Sequence, residues 1–194
     1  MNKNILICGV GGQGTVLASK IIAAAAADAG ETVHSAETIG MAQRGGPVTS
    51  HVRIGEDVFS PLIPEGSADI ILAFEPGEAL RNLRYLREGG LVIVNKTAVM
   101  PVTEALRATG YDGAAVTEYL GSKCSCIFVD SDEAAARFGS PRVFNVYLTG
   151  VACGTGRLGI SKETLLARVE KSVPAKFKEI NVSAFLGGFE KGSE

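Results

Sequence analysis

The chain has 194 residues, of which 46% are hydrophobic, and its formal net charge is −2. This size and apolar content suit a single globular domain, and the small negative charge gives no overall positive field for binding nucleic acid or anionic lipid. Apolar segments are interrupted by Gly or charged residues well before the ~20 residues that a membrane-spanning helix needs, so we expect a cytoplasmic protein with one domain over residues 1–190 and a short mobile tail, 191–194.

The first predicted elements are a strand, a glycine-rich turn and a helix. An apolar run begins at Ile5, and an alanine-rich run ends at Gly30. Between them lie residues 9–14, which we call the glycine turn. Gly9, Gly11 and Gly14 fit the spacing G-x-G-x-x-G, which permits a sharp turn and a close approach of an anion to the backbone. A helix that starts there also presents unpaired N–H groups and the positive end of its dipole. The pattern fits a phosphate site, and it equally fits a turn that only lets helix and sheet pack.

A second glycine-rich segment follows the next predicted strand, residues 31–36. This segment, which we call the Arg44 loop, covers residues 37–47 and carries Arg44 beside Gly45 and Gly46. Loops after the carboxyl ends of strands supply the crevice residues of open α/β sheets, so this loop is the second candidate functional element. Glu37 lies near the place of the acidic residue that binds ribose in dinucleotide sites, but a basic loop stands here where such sites have another helix.

The rest of the chain alternates predicted strands and helices. Residues 48–54 form a half-buried strand whose polar face, with His51 and Arg53, we assign to solvent, with an anionic ligand or partner as the alternative. A turn at residues 55–57 predicts a hairpin with residues 58–60. Further strands are predicted at residues 70–74, 91–94 and 126–129, and helices at 76–89, 102–108, 115–120, 131–139, 145–159, 161–173 and, as a last apolar segment, 181–189. The predicted fold is α/β, a three-layer Rossmann-like sheet that is mostly parallel, with a β-hairpin and with helices on both faces.

The four cysteines do not have the spacing of a metal site. Cys124 and Cys126 form a C-x-C pair with no C-x-x-C partner and no nearby His, and Cys8 and Cys153 lie far from them in sequence. A zinc or iron–sulfur site built from this chain alone needs about four ligands. We interpret these thiols as buried or incidental and predict no metal site.

Several of these motifs, in this order along the chain, resemble the gamma subunit or gamma domain of 2-oxoacid:ferredoxin oxidoreductases. The resemblance extends from about residue 4 to about residue 188, and the segment 40–46 is most similar to the small subunit of indolepyruvate:ferredoxin oxidoreductases. The matching motifs are the glycine turn with Gln13, Arg44-Gly-Gly46, Ser50-His-Val-Arg53, Ser67-Ala-Asp69, Asn145, and Asn181 with Ala184-Phe185.

The resemblance implies a subunit of an enzyme that oxidatively decarboxylates indolepyruvate or a related 2-oxoacid, reduces ferredoxin and forms an acyl-coenzyme A. It places thiamine diphosphate, Mg²⁺ and the [4Fe–4S] clusters in a partner subunit, because this chain has neither a G-D-G motif nor the cysteines of a cluster. The chain is then a non-redox component, inactive in isolation, that contributes assembly and coenzyme A binding. The candidate cofactor-binding residues are Gly9, Gly11, Gly12, Gln13, Gly14, Arg44, Gly45 and Gly46, with no catalytic residue and no metal ligand. We expect Gly11, Gly12 and Gly14 to donate backbone N–H groups to coenzyme A. We expect Gln13 to orient the ligand through its amide and Arg44 to act as a charge clamp, with Gly45 and Gly46 letting the backbone approach.

Two other interpretations remain open at this point. A free-standing Rossmann-like NAD(P)-binding oxidoreductase would use the glycine turn and Glu37. A purely structural assembly module would use the glycine turn and the Arg44 loop as an intersubunit surface that contacts no ligand. The sequence also leaves the choice among aryl, branched, pyruvate and 2-oxoglutarate substrates to the partner subunit.

Overall fold

The computed structural model describes residues 2–39, 45–99 and 110–194. Within these ranges the structure has six strands and seven α-helices. The strands are β1 (Lys3–Val10), β2 (Val33–Ile39), β3 (Pro47–Ile54), β4 (Ala68–Ala73), β5 (Leu86–Asn95) and β6 (Ser125–Val129). The helices are α1 (Thr15–Asp28), α2 (Pro76–Asn82), α3 (Gly113–Lys123), α4 (Ser131–Phe138), α5 (Phe144–Gly154), α6 (Lys162–Ser172) and α7 (Lys178–Gly192).

The six strands form one mixed sheet in the order β2-β3-β1-β4-β5-β6. β1, β4, β5 and β6 run parallel to one another, whereas β3 is antiparallel to both of its neighbours, β1 and β2. The predicted fold, mostly parallel with one hairpin, is therefore confirmed. The hairpin joins β2 to β3, because these two strands are consecutive in the chain and pair antiparallel.

The sheet separates two apolar clusters, as expected for three layers. Alternate residues of each central strand enter opposite clusters because side chains of a strand point to opposite faces in turn. In β1, Ile5 and Ile7 pack with α1, α5, α6 and α7, whereas Leu6 and Cys8 pack with α2 and α3. Helices thus cover both faces, and none of the described helices is long and apolar enough to cross a membrane.

The predicted hairpin strand at residues 58–60 is wrong, and so is the assignment of His51 to solvent, because His51 is buried, whereas Arg53 is half-buried. Arg53 donates from Nη1 to the carbonyl oxygens of Ser60 (2.8 Å) and Leu62 (3.2 Å). The backbone N–H of Ile63 donates to Nδ1 of buried His51 (3.2 Å). Side chains of β3 therefore satisfy backbone groups of the following segment, which removes the need for a strand ladder there. Burial lowers the pKa of His51, which fits a neutral imidazole that accepts this bond.

The predicted helix at residues 76–89 is also too long. α2 ends at Asn82, a short 3₁₀ turn covers Leu83–Tyr85, and Gly89 lies inside β5. The N–H of Gly66 donates to the carbonyl of Arg84 (2.9 Å), and Ala68 pairs with Leu86 in the sheet. These long-range contacts override the helical spacing of the leucines. The helix predicted at residues 102–108 lies outside the described residues.

Helices α5 and α7 approach so closely that their backbones are in contact. A Cβ added to Gly150 or Gly154 of α5 would overlap the carbonyl oxygen of Phe185 or Phe189 of α7. A Cβ added to Gly188 of α7 would likewise overlap the carbonyl oxygen of Tyr147. The small residues that predicted close packing of the 145–159 segment, on the sheet or on another subunit, therefore serve contact with α7 within the chain.

Candidate functional site

The candidate site lies where the parallel strands end. We call this carboxyl-terminal side of the sheet its carboxyl edge, or simply the edge. β1 ends at Val10, β4 at Ala73 and β5 at Asn95, and parallel strands place their carboxyl ends at one edge. The connection from β1 leads through α1 toward β2, whereas β4 and β5 lie on the other side of β1. Open α/β sheets bind ligands at such a point of divergence.

The glycine turn joins β1 to α1, and two of its residues have a positive φ that glycine adopts without strain. Gly12 has φ +105° and is exposed, and a Cβ there would meet no atom within 4 Å. Gly14 has φ +87° and occupies the N-cap of α1. A Cβ at Gly14 would lie 2.6 Å from Nδ2 of Asn145, so the start of α5 packs against the turn. The sequence motif included Asn145, but only the fold brings it to the glycines.

Some N–H groups of the glycine turn already donate hydrogen bonds within the protein, and others do not. The N–H of Gly11 donates to the carbonyl of Gly46 (2.8 Å), and that of Gln13 donates to the carbonyl of Val10 (3.1 Å). Within the described part of the chain, the N–H groups of Gly12 and Gly14 have no acceptor. The first turn of α1 has neither a side-chain cap nor an acidic residue. The available anion-binding groups are therefore those of Gly12, Gly14 and the first turn of α1.

The side chain of Gln13 holds the ends of two strands together. Its Oε1 accepts a bond from the N–H of Val10 (2.7 Å), and its Nε2 donates to the carbonyl of Phe74 (3.2 Å). Gln13 was predicted to orient a ligand through its amide. In the structure the amide instead bridges β1 and the residue after β4, so its contribution to the site is to fix the shape of the turn.

Gly45 and Gly46, near the end of the Arg44 loop, contact the glycine turn. Besides the bond from Gly11 to the Gly46 carbonyl, the N–H of Gly45 donates to the carbonyl of Gly11 (3.4 Å). Gly45 has φ +77°, a conformation that favours glycine. Arg44, predicted as the charge clamp, lies outside the described residues. The structure thus places the end of the Arg44 loop directly on the glycine turn.

Sequence reasoning missed a buried amide at the centre of this edge. Asn95, at the end of β5, is 2% exposed. Its Nδ2 donates to the carbonyl of Phe74 (3.2 Å) and to Oγ of Ser131 (3.2 Å), and its Oδ1 accepts from the N–H of Ser131 (3.0 Å). Asn95 and Gln13 therefore share the Phe74 carbonyl and connect β1, β4, β5 and α4. Its position directly after the predicted strand 91–94 is the sequence signal that could have identified it.

A second missed group surrounds the start of α2. Buried Glu75 caps this helix by accepting from the N–H of Glu78 (2.9 Å) and also accepts from the hydroxyl of Tyr111. Burial and the neighbouring Glu75 raise the pKa of Tyr111. Burial raises the pKa of Glu78 as well, although Arg81 opposes this shift. These groups satisfy one another and fix α2 against the segment that precedes α3.

The sheet order differs from that of a dinucleotide site at Glu37. β3 lies between β1 and β2, so the strand that carries Glu37 is two inter-strand spacings, about 10 Å, from β1. Glu37 faces α1, where it accepts from Oγ of Ser19 (3.4 Å). The inserted antiparallel strand thus separates this carboxylate from the glycine turn that would hold the pyrophosphate.

The four cysteines do not converge on one point. Cys8 and Cys153 belong to the apolar clusters on opposite faces of the sheet. Cys124 and Cys126 lie at the start of β6 with their sulfur atoms 3.6 Å apart. Burial raises the pKa of Cys126 to about 12. Across residues 2–39, 45–99 and 110–194, no three His, Cys, Asp or Glu side chains are grouped as metal ligands. A four-thiolate cluster does not fit this arrangement.

Comparisons with known proteins agree on one group of relatives. The family model described as pyruvate ferredoxin/flavodoxin oxidoreductase matches residues 4–191. Indolepyruvate oxidoreductase subunit IorB of Thermococcus kodakarensis is 38% identical over 98% of this chain and 96% of its own. The pyruvate/ketoisovalerate oxidoreductases common subunit gamma of Pyrococcus abyssi is 30% identical, over 94% of this chain and 93% of its own. The crystal structure of a keto/oxoacid ferredoxin oxidoreductase gamma subunit from Geobacter sulfurreducens superposes with a TM-score of 0.71 at 26% identity, over 98% of both chains.

Proposed function

Because this chain belongs to the pyruvate ferredoxin/flavodoxin oxidoreductase family, we propose that it is the small, non-redox subunit of an indolepyruvate-type 2-oxoacid:ferredoxin oxidoreductase. One observation carries this proposal, the 38% identity to an indolepyruvate oxidoreductase subunit over nearly the whole of both chains. The lower identity to a subunit named for pyruvate and ketoisovalerate supports the indolepyruvate type.

In this proposal the partner subunit holds thiamine diphosphate, Mg²⁺ and the [4Fe–4S] clusters. Those groups supply decarboxylation and the transfer of electrons to ferredoxin. The separation of Cys8 and Cys153 on opposite faces of the sheet supports the division, because this chain cannot bring four thiolates to one cluster. This chain contributes an anion-binding edge and a surface for assembly.

Coenzyme A is the ligand that we propose for this edge. Its phosphates suit the N–H groups of Gly12 and Gly14, which have no acceptor among the described residues and lie at the positive end of the α1 dipole. Gly45 and Gly46 are bonded to the turn. We assign Arg44, the residue before them in the sequence, as the charge clamp on the same phosphates. Gln13 and Asn95 keep the edge in shape without contacting the ligand.

The first test of this function is the activity of the complete complex. We expect this chain together with the larger subunit, assayed without oxygen, to reduce ferredoxin when a 2-oxoacid and coenzyme A are present. The kcat/KM for indolepyruvate should exceed that for pyruvate by at least about 10-fold, since an apolar pocket discriminates by the apolar area it buries. The control is each subunit alone, which should be inactive. Reduction of NAD(P)⁺ by the isolated chain would contradict the proposal and favour the dinucleotide-binding alternative.

A matched pair of variants at Gly12 tests the coenzyme A site. Asn and Asp tolerate positive φ better than other side chains, so Gly12→Asn and Gly12→Asp impose similar backbone strain. Only Asp adds a negative charge beside the expected phosphate. In the assembled complex we expect Gly12→Asp to raise the KM for coenzyme A by at least about 10-fold relative to Gly12→Asn, with the KM for the 2-oxoacid unchanged.

Arg44→Ala supplies the second arm of this test. Loss of a charge-assisted bond to a phosphate should raise the KM for coenzyme A by about 10- to 100-fold. If both Gly12→Asp and Arg44→Ala leave this KM unchanged but weaken binding of the larger subunit, then the glycine turn is an intersubunit surface and the assembly-module interpretation holds.

A further inference from the structure

A segment on the other side of the molecule exposes two large apolar side chains. We call residues 56–63, between β3 and β4, the docking loop. Phe59 is 91% exposed and Leu62 is 53% exposed. Among the described residues, Phe59 is the most exposed large hydrophobic side chain. Single exposed apolar residues are common, but an aromatic side chain presented almost entirely to water beside a second apolar residue marks a contact surface.

The backbone of the docking loop is held in one conformation. Val58 and Ile63 are buried on either side of the exposed pair. Arg53 donates to the carbonyls of Ser60 and Leu62, and its Nε donates to Oδ1 of Asn4 (2.9 Å). These contacts fix the loop before any partner arrives, so binding loses little loop entropy. The fixed backbone of the loop therefore holds Phe59 in an exposed position.

The charges beside the exposed pair indicate what kind of surface covers it. Glu56 and Asp57 are exposed three and two residues before Phe59. A second copy of this chain would bring the same carboxylates together, and like charges opposed across an interface are unfavourable. A partner with an apolar pocket and a rim of Lys or Arg complements the loop in both shape and charge.

The docking loop is separated from the glycine turn by the length of the central strand. Arg53 is opposite Asn4 at the start of β1, whereas the glycine turn follows Val10 at its end. Six residues of extended strand span about 20 Å. A change at Phe59 should therefore leave the coenzyme A edge untouched, which makes the two surfaces separable by experiment.

We propose that the docking loop binds the larger, cofactor-carrying subunit of the complex, with Phe59 entering an apolar pocket rimmed by basic side chains. The inference rests on the proposed function, which requires a stable contact with that subunit. Aromatic anchors at the centre of an interface carry much of its binding energy. Phe59 is the anchor, Leu62 extends the apolar contact, and Glu56 and Asp57 form the charged rim.

The test measures the affinity of the full-length chain for the purified larger subunit by titration calorimetry. Phe59→Ala should weaken the Kd by at least about 30-fold, the effect of losing one interface anchor. Phe59→Leu should lose less affinity than Phe59→Ala, because the leucine side chain keeps part of the apolar contact. Tyr119→Ala on α3 removes another exposed aromatic side chain, 47% exposed, and serves as the matched control that should bind like the wild type. All variants should unfold at the wild-type temperature.

The rim is tested by the rate of association. Replacing Glu56 and Asp57 together by Lys should slow binding at low salt and leave a smaller difference at high salt, since rim charges act mainly on the rate of encounter.

The outcomes separate this inference from the function on which it rests. If the wild-type chain does not bind the larger subunit, the proposed function is overturned together with the docking loop. If the wild type binds and Phe59→Ala binds equally well, or Tyr119→Ala is weakened as much, the docking loop is overturned and the proposed function stands. If Phe59→Ala instead abolishes self-association of the chain alone, the loop's partner is a second copy and the inference is wrong.

Discussion

Replacing Gly188 by Ala should lower the free energy of unfolding by about 3 kcal/mol, a large part of the stability of an ordinary domain. The added methyl group would overlap the carbonyl oxygen of Tyr147 and lie 3.0 Å from the backbone nitrogen of Val151. Both obstacles are backbone atoms of α5, so no side-chain rotation relieves the overlap. The helices would have to move apart and lose the packing between them.

Gly121→Ala is the matched control because it makes the same chemical change in another helix. A Cβ at Gly121 of α3 would lie 3.5 Å from Phe128, an ordinary van der Waals distance. Ala is the better helix former, so this variant should be unchanged or stabilised by up to about 1 kcal/mol. Urea denaturation of both variants gives the comparison. Equal stabilities would show that α5 and α7 do not meet through their backbones.

Replacing Asn95 by Leu should lower the free energy of unfolding by about 3 kcal/mol, because the half-buried N–H groups of Ser131 and Thr97 both lose their acceptor, Oδ1 of Asn95. The substitution removes the donor to the Phe74 carbonyl and the acceptor for the N–H of Ser131. Because Leu has a similar volume, the loss reports hydrogen bonding and not a cavity. In the complex, the KM for coenzyme A should also rise, since Asn95 and Gln13 share the Phe74 carbonyl.

Asn82→Leu provides the control for this prediction. Asn82 is also buried, at 8% exposure, but its Nδ2 donates to a local group, the carbonyl of Glu78 in the preceding helical turn (2.9 Å). Its replacement should cost about 1 kcal/mol or less and leave the KM for coenzyme A unchanged. The comparison uses denaturant unfolding and the assembled complex. A smaller loss at position 95 than at position 82 would contradict the role given to Asn95.

The elements whose signals are local were predicted well. Helix α1 follows the glycine turn and is succeeded by Gly30, and α4 ends at Phe138 with Gly139 as its C-cap. Helix α6 begins after Ser161, whose hydroxyl accepts from the N–H of Thr164. In each case the stop or start depends on a residue within one helical turn, so the signal is complete in the sequence.

The errors fall where a distant residue decides the outcome. The segment after β3 has the turn and apolar residues of a hairpin, yet Arg53 and His51 take its backbone bonds. Residues 83–89 have helical spacing, yet pairing of Leu86 with Ala68 draws residues 86–89 into β5. Local propensity is worth tenths of a kcal/mol per residue, so a few long-range contacts reverse it.

The sequence by itself determined the fold class, the glycine turn at the head of α1, and the resemblance to the oxidoreductase family, because glycine spacing and hydrophobic period are properties of neighbouring residues. Only the tertiary structure decided which groups of the turn remain free. Gly11 donates to Gly46, Gln13 to Phe74, and Gly14 packs on Asn145. These partners are between 35 and 131 residues away, and a hydrogen bond or a steric contact depends on distance in space, which spacing along the chain does not supply. For the same reason the position of Phe59, displayed by a loop that Arg53 holds, became visible only in the folded chain.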